Sequence, residues 1–302
     1  MIFVYYIDFD DGIQQKFFYK LYSKFFIKCK EIEIDENKRA LLLNRAKIDK
    51  RAVEKIYKFI PILKSKIVLS KSINQVFKFD KNLYFDGKLI LKNMLIKLLE
   101  YIENIVACDF RKEYIHVAMD NDQNMEYIYG LGYMFKNINI VTQKIRKLDR
   151  LDKKLQKDDN LIFSISNNKK KSLKDAKIIV NFDYDNTFFD RYCINRNCII
   201  INLSSNSLIM KNSFHGVVIE GIGIKYEKRD VDTLINKEKY DDTTIYESYM
   251  CNMDYNSIQS MINEDKCYIK AVFGQEREIS DKELKNNYTK SSIKLDKIKK
   301  KD

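Results

Sequence analysis

The chain has 302 residues, 45% hydrophobic and 32% charged, a balance that is globular rather than disordered and leaves room for two domains or one large one around a sizeable core. Its formal net charge of +12 raises non-specific affinity for phosphates without marking a site. Asn, Lys, Ile and Tyr are heavily used, Trp is absent and Pro occurs once, a bias read first as a codon-composition effect, so many lysines count as surface filler rather than as evidence for nucleic acid.

The opening stretch MIFVYYIDFDDG lacks a basic leader and a small-residue cleavage site, and it reads as a first strand. No stretch approaches the roughly 18 consecutive apolar residues of a membrane span. A cytoplasmic protein is therefore expected. The six cysteines contain no Cys-x-x-Cys; Cys193-x4-Cys198 has no matching His/Cys pair, so reduced buried thiols are expected in place of a metal site.

QQKFFYKLYSKFFIKCK (residues 14–30) follows with apolar residues at helical intervals and lysines between them, a basic amphipathic helix laid on a core rather than on a membrane. EIEI and RALLLN are strand candidates. DKRAVEKIYKFI is a helix with Asp49 as N-cap, stopped near Pro61. KIVLS is another strand. DGKLILKNMLIKLLEYIENIV is the strongest helix, apolar on a broad face, and is read as the connection between two halves.

From residue 114 the pattern becomes regular. YIHVAMD, INIVT, LIFSIS, KIIVNFD, CIIINLS and GVVIEGIGI are apolar strands, with MEYIYGLGYMF and KIRKLDRLDKKLQ as helices among them. Continuous apolar strands alternating with helices mean a parallel sheet covered on both faces, built from right-handed crossovers. Between LIFSIS and KIIVNFD, the segment NNKKKSLKDA has room for a turn and a short helix. Beyond residue 226 the chain turns polar, with YNSIQSMINEDK as a helix candidate and SSIKLDKIKKKD as a solvated lysine tail.

The spacing and order of the series resemble the nucleotide-binding domain of the shikimate dehydrogenase and glutamyl-tRNA reductase group over residues 112–225. SLKDAKIIVNF is similar to the segment where that group places a helix end and its fourth strand, and INIVTQK to its second strand. The resemblance implies that Thr142, Lys144 and Arg146 sit where a 2′-phosphate is met, which suits NADP better than NAD. The glycine-rich turn is missing: MDNDQNMEY follows the first strand, with Asp120 and Asp122 where backbone must approach a pyrophosphate. Gly130 and Gly132 come later, inside the helix. The chain is also similar to Rossmann-like proteins of low-GC anaerobic bacteria, which implies no activity.

FDYDNTFFD resembles the first motif of the haloacid dehalogenase superfamily. That resemblance implies Asp183 as nucleophile, Asp185 as general acid/base, Mg2+ as counter-ion and Ser204 as phosphate ligand. Against it, the gap before Cys198 is too short for the family's flap, no later strand ends in paired acids (only Glu220), and three strands of the same sheet precede the motif. A polar strand end is the common alternative. His116, within a strand, is read as packed with one nitrogen hydrogen-bonded. The lysines of NNKKKSLK, with Ser172 nearby, are an anion-site candidate or a solvated charge run.

These readings combine into an α/β protein: a Rossmann-like, doubly wound, mainly parallel sheet with a smaller N-terminal α/β domain. The expected boundaries are 1–86 for the small domain, 87–111 for the connecting helix, 112–225 for the Rossmann-like domain and 226–302 for a polar, partly helical extension. The expected function is ligand binding or regulation through a degenerate dinucleotide site at the carboxyl ends of the strands, near Asp120, Thr142, Lys144, Arg146, Asn181, Asp183 and Ser204, for a small-molecule or nucleotide ligand and without a metal. The alternatives are an NADP-dependent oxidoreductase, a Mg2+-dependent phosphatase using Asp183 and Asp185, and a nucleic-acid binder. Oligomeric state is not legible.

Overall fold

The computed structural model describes residues 1–10, 26–44, 49–61, 64–74, 83–148, 162–227, 237–275 and 277–292. In chain order the elements are β1 (Phe3–Phe9), β2 (Cys29–Glu33), β3 (Lys38–Leu43), α1 (Lys50–Phe59), β4 (Ser65–Leu69), α2 (Lys71–Asn74), α3 (Lys88–Asn93), α4 (Leu95–Val106), β5 (Tyr114–Ala118), α5 (Met125–Met134), β6 (Asn137–Val141) and β7 (Ile162–Ser166). Then come β8 (Ile178–Asn181), α6 (Asn186–Phe189), β9 (Ile199–Asn202), β10 (Val217–Ile219), β11 (Gly221–Lys225), α7 (Asp242–Met250), α8 (Tyr255–Glu264), β12 (Tyr268–Phe273), β13 (Glu278–Ile279) and α9 (Asp281–Ser291). The chain divides into two compact units, Met1–Ile90 with Ile224–Cys267, and Leu91–Gly223 with Tyr268–Asp302. The segment read above as a C-terminal extension is thus shared between them. Among the described residues no helix is long and apolar enough to cross a membrane.

The first unit carries a four-stranded sheet in the order β2-β3-β1-β4. Its central strand β1 runs parallel to β3 and β4, while β2 is antiparallel to β3. Alternation along β1 explains the two layers: Tyr5, Ile7 and Phe9 join Ala52, Val53 and Ile56 of α1 in one cluster, while Val4 and Tyr6 join Tyr240 and Ile245 in another. Asp49 caps α1 as expected, accepting from Ala52 N at 2.9 Å. Most of the basic helix expected over 14–30 lies outside the described residues; its last two, Cys29 and Lys30, belong to β2, where their carbonyls and N–H groups pair with β3. The long helix expected over 86–106 is two helices, because Met94 leaves the helical region (φ −93°, ψ 10°) and caps α4.

The second unit carries the six-stranded sheet β10-β9-β8-β5-β6-β7, parallel at every pairing. Counted from β5 this order reads 6-5-4-1-2-3, the doubly wound Rossmann arrangement with its crevice at the β5/β8 reversal. Ala118, Val141, Ile179 and Ile200 form one core face with Phe188, Phe189 and Tyr192. On the other face α4 packs against α5 and α9, with Phe110 stacked on Phe135 at 4.9 Å. GVVIEGIGI is two strands, not one: β10 continues the parallel sheet, and β11 enters a three-stranded sheet with β12 and β13. The break falls at Glu220, whose N–H donates to Phe273 O at 2.8 Å. NNKKKSLKDA forms turns and no helix. Residues 145–148 start the expected KIRKLDRLDKKLQ helix, whose remainder lies outside the described residues, as do parts of the polar segment (228–236) and the lysine tail (293–302). Burial pushes the His116 imidazole down to about 4, and its Nδ1 has no hydrogen-bond partner.

Candidate functional site

Each parallel strand must leave the sheet through a polar segment, and the exits of β5, β6 and β8 meet at the reversal. The β5 exit is Asp120 to Asn124, the entry to α5. Several of its donors are already engaged. Asp120 N donates to Asp183 Oδ2 at 2.8 Å, Asn121 Nδ2 to the same oxygen at 3.2 Å, and Asn124 Nδ2 to Asp183 Oδ1 at 3.5 Å. Gln123 N donates to Asn121 Oδ1 at 3.0 Å and Met125 N to Asp122 O at 3.3 Å. A carboxylate from the β8 exit therefore occupies the anion position that a Rossmann turn normally offers to pyrophosphate.

The β6 exit is engaged by the other acid. Asp120 Oδ2 pairs with Lys144 Nζ at 2.8 Å, and Asp120 Oδ1 accepts from Thr142 Oγ1 at 3.1 Å and Gln143 N at 3.3 Å. The Tyr184 hydroxyl donates to the same oxygen and accepts from Gln143 N at 2.8 Å. Burial pushes the Asp120 carboxyl up, but hydrogen bonds from Lys144, Tyr184 and Thr142 outweigh it and hold the group below the usual carboxylate range. Burial, then the bond to Asp120, raise the Tyr184 phenol. Lys144 is raised by Asp120 in turn.

The structure brings Asp120, Thr142, Lys144 and Asp183 together. Arg146 is exposed on the helical turn after β6, beside a cleft of about 450 Å³ lined by Lys144, Arg146, Lys147 and Asn167. Asn181 and Ser204 are buried and serve the strand exits. Asn181 bonds Asn202 Oδ1 at 2.8 Å and both backbone groups of Tyr184, and Ser204 Oγ accepts Asn206 N at 3.3 Å. Asp185 is exposed and caps α6, accepting Thr187 N at 3.0 Å and Thr187 Oγ1 at 2.7 Å. The two aspartates of FDYDNT thus do separate jobs, one on a neighbouring turn and one on its own helix. Among the described residues no group of three or more His, Cys, Asp or Glu side chains is placed to hold a metal ion.

Sequence reasoning missed Tyr184, Asn121, Asn124 and Lys92. Lys92 is half-buried over the Tyr127 ring at 4.7 Å; burial lowers its pKa, and Asp183 and Glu126 oppose that. Tyr184 had a signal, its place between the two aspartates; the others lie in turns or on a helix that carries no motif.

No family model and no curated protein matches the chain. Among solved structures it resembles shikimate dehydrogenase from Aquifex aeolicus at 13% identity, over 67% of this chain and 78% of that one, with a TM-score of 0.29. It also resembles L-tryptophan dehydrogenase from Nostoc punctiforme at 8% identity, over 96% and 81%, with a TM-score of 0.36. A third likeness is to Thermococcus litoralis Δ1-pyrroline-2-carboxylate reductase, a structure in complex with NADH and L-proline, at 8% identity over 67% and 65%, with a TM-score of 0.28. The Rossmann arrangement of this chain rests on its own strand order and direction.

Proposed function

We propose that this chain is a ligand-binding or regulatory protein on a Rossmann frame, with its dinucleotide position held by its own carboxylates. One observation carries the reading: Asp183 accepts from the β5–α5 turn while Asp120 holds Lys144, Thr142 and the Gln143 N–H. An incoming pyrophosphate must displace a fixed carboxylate and then lie beside Asp120 and Asp122. Two like unit charges about 4 Å apart repel by about 1 kcal/mol in bulk water and about 4 kcal/mol at a protein surface. The strand ends therefore suit a neutral or cationic small molecule better than a pyrophosphate.

An NADP-dependent oxidoreductase is the second reading. It is favoured by the cleft at the β6 exit, where Lys144, Arg146 and Lys147 offer cations to a 2′-phosphate. Thermal shift with NADPH and NADH separates the two. The first reading expects no saturable stabilisation by either dinucleotide at the strand ends. A melting temperature that rises with NADPH concentration by mass action, and no longer does so in Lys144→Ala, overturns it in favour of the second.

A further inference from the structure

We propose a second ligand site in the Leu91–Gly223 segment, at the amino ends of β8, β9 and β10: a groove that binds an organic anion of nucleotide size, with its charged groups on Lys170, Lys174 and Arg196 and a flat apolar body against Phe214 and Met210. The groove measures about 540 Å³ and is lined by all five residues. That volume falls within the range of small-molecule sites. The site stands apart from the strand exits discussed above, because its walls are the segments that enter β8, β9 and β10.

These walls are bonded to each other through backbone, so the groove exists before any ligand arrives. Asn168 Oδ1 accepts Lys170 N at 3.0 Å and Lys171 N at 3.1 Å, which folds the lysine run into a turn. Ser172 Oγ lies 2.5 Å from Ser166 Oγ and pins the turn to β7. Cys193 N donates to Lys169 O at 2.7 Å and Asn195 N to Leu173 O at 3.1 Å, which fastens the second wall. His215 N donates to Arg196 O at 2.7 Å, which fastens the third. Walls fixed in advance do not have to be ordered when a ligand binds.

Charge then selects the occupant. Among the described residues Lys170, Lys174 and Arg196 have no acidic partner, and the groove's one carboxylate, Asp190, is paired with Lys211 at 3.0 Å. Three uncompensated cations around an apolar floor suit a ligand with several negative charges, such as a nucleoside polyphosphate. The solvated-run reading of NNKKKSLK accounts for Lys169 and Lys171 but not for the way the fold brings Lys170 and Lys174 to one groove with Arg196. The groove's volume of about 540 Å³ suits a small molecule better than a nucleic acid strand.

Cys193 lies on the groove wall and is exposed, whereas the other five cysteines are half-buried or buried. Its rate of alkylation by iodoacetamide, read by mass spectrometry on the full chain, reports occupancy of this groove alone. ATP is expected to slow that rate several-fold and saturably, with tripolyphosphate weaker and adenosine weaker still. Arg196→Ala and Lys174→Ala, both at exposed positions, should each raise the ATP concentration for half-protection roughly tenfold, the worth of one charge-assisted contact. Lys144→Ala should leave protection unchanged. A Cys193 rate that ATP at 10 mM leaves unaltered overturns the proposal. So does protection that persists in the Arg196/Lys174 double variant, that is lost in Lys144→Ala, or that only an RNA homopolymer provides. Because NADPH at the strand ends is read through Lys144 and ATP in the groove through Cys193, failure of one reading leaves the other standing.

Discussion

Glu247 shows how one buried side chain sets a pH dependence. It is 1% exposed, and its carboxylate accepts Gly87 N and Leu89 N, both at 2.9 Å, so it caps the start of α3 from a distant part of the chain. Gly87, at φ +77°, supplies the left-handed turn that presents these N–H groups. Burial pushes the carboxyl up to about 7 despite backbone donors from Gly87, Leu89 and Ile90. A group whose folded pKa lies above its unfolded value binds extra protons in the native state. Its stabilising contribution is complete below about 4.5, the ordinary value, and is lost as pH rises towards about 7. Glu247→Gln removes the titration and keeps an acceptor. Urea unfolding at pH 5 and pH 8 should therefore show the wild type losing on the order of 3 kcal/mol relative to the variant between the two. A difference that does not change with pH, or that grows in the opposite sense, refutes this assignment.

At the scale of elements, the carboxyl end of the sheet is held by side chains as well as by the strand ladder. Asn181 at the end of β8 donates to Asn202 at the end of β9 and bonds both Tyr184 N and O, and Asn202 donates onward to Asn206 O at 2.7 Å and to Glu220 at 3.0 Å. Replacing Asn181 by Leu leaves the Tyr184 backbone and the Asn202 amide oxygen buried without these partners, at roughly 1–3 kcal/mol for each group left unpaired. The expected readout is a lower urea midpoint with an unchanged slope; a variant as stable as wild type removes the latch from the account. The same end of the sheet shows what sequence made legible. β8, β9 and β10 were readable because a parallel strand buried on both faces is an unbroken run of Ile and Val, while β5, β6 and β7 were readable as short apolar stretches in which single polar residues interrupt the run. The strand exits were readable as polar, and Asp120, Thr142, Lys144 and Asp183 do converge. What each carboxylate bonds was not readable, because Asp120 meets Asp183 and Lys144 only through the fold. The split of GVVIEGIGI was equally hidden: apolar periodicity continues through Glu220, and only long-range bonds to Asn202 and Phe273 separate β10 from β11.

The whole molecule is two compact units that interrupt one another along the chain. Most of the chain beyond residue 226 is polar, and the one short apolar run there, YIKAVF from Tyr268, marks a strand but not the return of the chain to the parallel-sheet unit, which only the fold reveals. Yet α9 is part of that unit's core. Leu284 is fully buried, Tyr288 packs on Phe110 at 6.1 Å and donates to Cys108 Sγ at 3.3 Å, and the helix lies against α4, β9 and β10. A fragment of residues 91–223 therefore ends with an apolar face uncovered. Losing one fully buried Leu costs roughly 2–5 kcal/mol, a large share of the stability of any domain. Glu220 N meets Phe273 O, and an added Cβ at Gly223 would lie 3.6 Å from Ala271 Cβ, so removal of residues 224–267 leaves two ends on neighbouring strands that a short Gly-Ser linker spans. Residues 91–223 joined in this way to 268–292 should unfold in one cooperative transition, whereas 91–223 alone should aggregate or melt without one. Circular dichroism melts of the two proteins decide the matter. Cooperative unfolding of 91–223 by itself refutes the role given to α9, and failure of the joined protein to fold refutes the division of the chain into self-sufficient units.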